Sequence, residues 1–140
     1  MSAPLVDTTT YLCTGCPLGC RLEVDVVEGD IVEIRGFECR KGERYARQER
    51  LDPRRPVSTT VAMEGARLPR LPVRASEAFP KDDVRRLVRE LRAVRVAAPV
   101  VRGQVVLADA LGSGIDIIAT RTMPASRGAV EAQRARSSAV

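Results

Sequence analysis

The chain has 140 residues, 44% of them apolar, enough for one domain or two very small ones, and with only Tyr11, Phe37, Tyr45 and Phe79 as aromatics its core must be mainly Val, Leu, Ile and Ala. The net charge of +5 comes from 23 basic and 18 acidic residues that are interleaved through most of the chain, which reads as solvated surface and argues against a dedicated nucleic-acid protein. No run approaches the roughly 18 apolar residues of a membrane span, and MSAPLVDTTT lacks the basic and apolar regions of a secretory leader, so a soluble, cytoplasmic protein is expected.

Residues 1–10 read as a loose lead-in. A four-cysteine domain is expected over 11–63, opening with Cys13, Cys16 and Cys20. In RLEVDVVEGDIVEIRG, Leu22, Val24 and Val26 alternate with Arg21, Glu23 and Asp25, and Val32 and Ile34 alternate with Glu33 and Arg35, which is the period of half-buried strands. Glu28-Gly29-Asp30 supplies the turn of a β-hairpin. That hairpin returns the chain, so that Cys39 comes back towards Cys20 across the eighteen residues between them. A short helix is expected from about Gly42 to Arg50, ended by Asp52-Pro53.

Val57 to Met63 can form a strand. Residues 64–75 carry Pro69 and Pro72, which demote Leu68 to Val73 to an edge strand or linker at the domain boundary. A small α+β domain is expected over 76–123. Its helix, from about Pro80 to Val94, has Val84, Leu87, Val88 and Leu91 at i, i+3, i+4, i+7, with Arg85, Arg86, Arg89 and Arg92 mostly on the other side. The β-branched runs Val94 to Val101, Val105 to Leu107 and Ile115 to Thr120 supply a sheet for the apolar stripe. Leu111-Gly112-Ser113-Gly114 lacks the strand-to-helix context of a phosphate loop and reads as a turn. Residues 124–140 are small, polar and basic, and a disordered tail is expected. The fold class is therefore α+β: a small cysteine-rich hairpin domain followed by a small sheet-plus-helix domain.

All four cysteines, Cys13, Cys16, Cys20 and Cys39, lie in the first 39 residues, and the chain has no histidine, so a soft-metal site would be all-thiolate. Three cysteines within eight residues plus a remote fourth suit a [4Fe-4S] cluster best. Zinc remains the alternative, although its usual pattern has two separated C-x2-4-C knuckles and Cys39 stands alone. Cys13 and Cys16 could also form a thiol–disulfide pair, without the βαβ context that usually accompanies one. A histidine-free chain with no recognisable nucleophile–base pair is not expected to catalyse a reaction alone.

The stretch from CTGCPLGC through Gly-Asp-Ile-Val-Glu-Ile-Arg-Gly to Cys-Arg-Lys-Gly resembles the N-terminal [4Fe-4S] segment of molybdopterin oxidoreductases, over residues 13–42 only. In that family the lysine matching Lys41 lies between cluster and pterin. The rest of this chain is too short for the pterin-binding domains, so molybdenum chemistry is not implied. Over about residues 11–121, the same CTGCPLGC together with Tyr45-Ala46-Arg47-Gln48-Glu49, Asp52-Pro53-Arg54-Arg55, Leu68-Pro69-Arg70-Leu71-Pro72-Val73 and Ala119-Thr120-Arg121 resembles a prokaryotic family designated domain of unknown function 1667. That resemblance implies association with FAD-dependent oxidoreductases and a glycerol-3-phosphate-dehydrogenase-like flavoprotein. The expectation is an iron–sulfur accessory protein passing electrons to or from such a partner; the alternative is a zinc-stabilised protein- or nucleic-acid-interaction module.

Overall fold

The computed structural model describes residues 3–139 and is α+β, with two compact units meeting in sequence between Arg54 and Arg55. The first unit is an antiparallel sheet of β1 (Asp7–Leu12), β2 (Arg21–Val27) and β3 (Asp30–Arg35), in that order, with helix α1 (Arg40–Leu51) packed on β2 and β3. Between β2 and β3, Glu28 and Gly29 both have positive φ, 52° and 93°, the backbone of the tight turn that matches the twist of a two-residue hairpin. Leu22, Val24 and Val26 project to one face of β2 and form the small core with Cys13 and Ala46. The expected hairpin and helix are both present.

On the other face of β2, Arg35 gathers three carboxylates. Its guanidinium bonds Asp25, Glu33 at 2.8 Å and Glu23 at 3.2 Å, and the Thr8 hydroxyl donates to Asp25 at 2.7 Å. The hydrogen bond from Arg35, with that from Thr8, holds the Asp25 carboxyl below its ordinary value of 3.8. A lowered carboxylate pKa contributes stability that is complete above the ordinary value and is lost as pH falls through the folded one. The midpoint of thermal unfolding of this unit is accordingly expected to fall as pH drops below about 4, and less steeply in Asp25→Asn, as followed by circular dichroism.

The lead-in expected over 1–10 is corrected by β1. Its run Thr8-Thr9-Thr10-Tyr11 is β-branched and aromatic, and it pairs with β2 through Thr9 opposite Val24 and Tyr11 opposite Leu22. Residues 1 and 2 lie outside the described residues.

The two-residue strand β4 (Arg54–Arg55) leads into the second unit, where β5 (Ser58–Glu64), β6 (Arg70–Ala75), β8 (Arg95–Ala97), β9 (Val105–Leu107) and β10 (Ile117–Ala119) form one sheet in the order β8-β5-β6-β10-β9. A further two-residue strand, β7 (Phe79–Pro80), precedes a 3-10 turn and helix α2 (Val84–Ala93). Within this sheet β5 and β8 run parallel and the other neighbours antiparallel, and α2 lies between β5 and β8 in sequence and packs on β5. Its Leu87 and Leu91 are fully buried with Phe79, Val61, Leu71 and Ile117, while Arg85, Arg86, Arg89 and Arg92 stay exposed, as the periodicity requires.

Residues 64–75 are neither linker nor edge: β6 lies inside the sheet, between β5 and β10. Pro72 is tolerated there because its carbonyl accepts from the Thr120 N–H at 3.0 Å, and the N–H and carbonyl of one strand residue face the same side. The missing donor thus faces the residue just past the end of β10 and leaves the pairing with β5 complete. The tail expected over 124–140 is also corrected. Helix α3 (Arg127–Ser138) forms there from Ala, Arg, Glu and Gln, with Ser126 as N-cap accepting from the Ala129 N–H, although it buries no residue. Ser126 N–H donates to Gly65 at 2.7 Å and ties the helix start to the β5–β6 connection; Val140 lies outside the described residues. Among the described residues, no helix is long and apolar enough to cross a membrane.

Candidate metal centre

Cys13 follows the end of β1 and Cys20 precedes β2, so the pairing of these strands brings the two ends of the cysteine loop together. The Cys13 N–H donates to the Cys20 carbonyl at 2.8 Å and closes the neck of that loop. Cys13 is buried at the edge of the small core, Cys16 and Cys20 are half-buried, and all four cysteines are free. Gly19 turns the loop back towards β2 with φ 62°, a conformation that glycine adopts without steric cost. The Gly15 N–H points at the Cys13 Sγ at 3.5 Å.

Cys39 arrives by way of the hairpin. Arg35 pairs with Glu23, and Gly36, with φ 86°, crosses directly over the Arg21 carbonyl. A Cβ at Gly36 would stand 2.1 Å from that oxygen, so only glycine lets the chain turn here. Cys39 is the exposed N-cap residue of α1, and its carbonyl accepts from the Gly42 N–H at 3.0 Å. Gly42 is buried where a Cβ would come within 2.9 Å of the Phe37 Cβ, which lets the first turn of the helix sit close on Phe37 and Leu22. A Cβ at Gly15 would lie 3.5 Å from the Cys13 Sγ and 3.9 Å from the Lys41 Cβ, so the cysteine loop borders the start of α1.

The segments carrying the four cysteines therefore lie at one end of the unit. Their side chains are not gathered as a coordination sphere: among the described residues, no three His, Cys, Asp or Glu side chains stand close enough to hold a metal ion. Four thiols without histidine fit an all-thiolate centre by donor chemistry, three on a loop and the fourth at an exposed helix start. Sequence reasoning missed the two glycines that shape this end, Gly36 and Gly42. Their signal was position, one directly after a strand and one in the first turn of a helix.

The Leu111-Gly112-Ser113-Gly114 stretch is a turn. Asp109 has φ 46° and accepts from the Gly114 N–H at 2.6 Å, and its own N–H donates to Asp116 at 2.9 Å, so the loop is closed on itself.

A family model described as a protein of unknown function (DUF1667) matches residues 40–121. The match begins at the residue after Cys39, so it rests on other residues than the four cysteines. The solution NMR structure of the Clostridium perfringens protein CPE0013 is similar at 20% identity and a TM-score of 0.49, over 53% of this chain and 88% of that one. No curated protein matches the chain.

Proposed function

We propose, for a chain that belongs to the DUF1667 family, that Cys13, Cys16, Cys20 and Cys39 hold one [4Fe-4S] cluster and that the protein serves as an electron-transfer accessory to an FAD-dependent oxidoreductase in the reducing cytoplasm. The observation that supports the reading is that the start of α1, whose N-cap residue is Cys39, borders the loop of Cys13, Cys16 and Cys20 at Gly15. When bound, such a cluster supplies one-electron redox chemistry. The chain contributes four thiolate ligands, a loop closed at its neck by the Cys13–Cys20 backbone bond, and backbone N–H groups at Gly15 and at the first turn of α1 that can donate to sulfur. Arg40 and Lys41 set positive charge directly beside Cys39, which favours an anionic centre.

Protein purified without oxygen is expected to be brown, with broad visible absorption bleached by dithionite and about four irons per chain. Serine at any one of the four cysteines should lower that iron content. Colourless protein carrying about one zinc per chain would overturn the electron-transfer reading and leave the metal a folding role.

A further inference from the structure

Helix α1 starts at the residue after Cys39 and carries five basic and two acidic side chains, a net charge equal to that of α2 but placed beside a cysteine. Gly42 and Ala46 bury one side of the helix. Arg40, Arg44 and Arg47, spaced i, i+4, i+7, are exposed and line a groove of about 390 Å³ in which Glu43 is bonded to Arg47 at 3.6 Å. The stripe begins at the residue after Cys39.

Large apolar side chains are exposed within two residues of the cysteines. Leu18, between Cys16 and Cys20, is 74% exposed and Phe37, just before Cys39, is 38%, whereas Leu12, 63% exposed, pairs with Arg21 and lies on the face of the sheet away from α1. Apolar residues beside a band of charge reproduce the composition of a protein–protein interface, in which an apolar centre is bordered by a polar rim.

We propose that Leu18 and Phe37 with the arginine stripe of α1 form a docking surface for a protein partner bearing an acidic patch. The purpose of docking rests on the electron-transfer reading of the cysteines, while the binding itself does not. Charge complementarity selects an acidic surface, because Arg40, Arg44 and Arg47 present cations whose attraction steers encounter over a Debye length. An acidic protein is favoured over a nucleic acid because Tyr45 is packed against the core and leaves the 38% exposed Phe37 without a neighbouring ring to continue a base stack, and because an exposed leucine gains nothing from a phosphate backbone.

The test uses the full chain as purified without oxygen and an oxidised flavodoxin of acidic surface as probe, with affinity measured by titration calorimetry from about 20 to about 300 mM salt. Wild-type binding is expected to weaken as salt rises. The triple variant Arg40→Gln, Arg44→Gln, Arg47→Gln should bind at least about tenfold more weakly with a flatter salt dependence, and Leu18→Ser should weaken binding at every salt concentration while Leu12→Ser, on the other face of the sheet, should not. Arg85→Gln, Arg86→Gln, Arg89→Gln on α2 removes the same charge elsewhere and should leave affinity unchanged. Far-UV circular dichroism matching wild type establishes that each variant is folded. Equal losses in the two arginine triples, no binding by the wild type, or tighter binding of a DNA duplex of about 20 base pairs through the α1 stripe would each overturn the proposal. Zinc-loaded protein that binds through α1 would sustain docking while the electron-transfer reading falls, and iron-loaded protein that fails to bind would do the reverse.

Discussion

Gly36→Ala is expected to destabilise the three-stranded unit by about 3 kcal/mol, enough to unfold a small domain in part at ambient temperature. Two effects combine. The residue holds φ 86°, where an L side chain costs about 1–2 kcal/mol, and the new Cβ would fall 2.1 Å from the Arg21 carbonyl oxygen, an overlap that forces the end of β3 away from β2. Because neither the oxygen nor the glycine belongs to a flexible side chain, the strain cannot be relieved by a rotamer change. Gly29→Ala provides the control: its φ is 93°, but nothing lies within 4 Å of the added carbon, so only the backbone term of about 1 kcal/mol should remain. Urea unfolding followed by circular dichroism separates the two. Metal content should fall in Gly36→Ala as well, since the displaced segment is the one that delivers Cys39.

Phe79→Ala should have a comparable or larger effect on the second unit, about 3–5 kcal/mol. Phe79 is fully buried and is the largest such side chain of the protein among the described residues, in a core otherwise made of aliphatic residues. It lies in one cluster with Val61 of β5, Leu71 of β6, Ile117 of β10 and Leu87 and Leu91 of α2, so its loss leaves a cavity in a core that is held by three strands and a helix and can close in only slightly. Val105→Ala on β9, at a position 47% exposed, should change stability by less than about 0.5 kcal/mol. Hydrogen exchange of the β5, β6 and β10 amides gives the direct comparison: strong acceleration in Phe79→Ala and little in Val105→Ala. Equal protection in the two variants would show that the core is not centred on Phe79.

The contrast between these glycines and this phenylalanine also separates what can be read in one dimension from what cannot. The period-2 runs of β2 and β3, the Glu28-Gly29 turn between them and the 3.6-residue stripe of α2 were legible because each follows from which face of an element meets water. Pro72 misled, because whether a missing N–H is costly depends on which neighbour faces it, and here the neighbour lies just past the end of β10. The Thr-rich β1 carries no local mark of a strand for a similar reason: its polar side chains give no alternation, and its strand identity comes from the partner it pairs with. In the basic segment 127–138 helix-forming residues and the Ser126 cap prevail over the lack of apolar residues that suggested disorder.

For the candidate centre, the amino-acid sequence alone determined the donor set, since four cysteines and no histidine leave an all-thiolate site as the soft-metal option, and it determined that a hairpin separates the last donor from the first three. Only the tertiary structure decided how that hairpin returns: Gly36 over the Arg21 carbonyl, Gly42 tight against Phe37, and the start of α1 beside Gly15. Those approaches pair residues as much as 26 positions apart, and at Gly36 and Gly42 they need the absence of a Cβ opposite the Arg21 carbonyl and the Phe37 Cβ, a condition stated nowhere in local pattern or propensity.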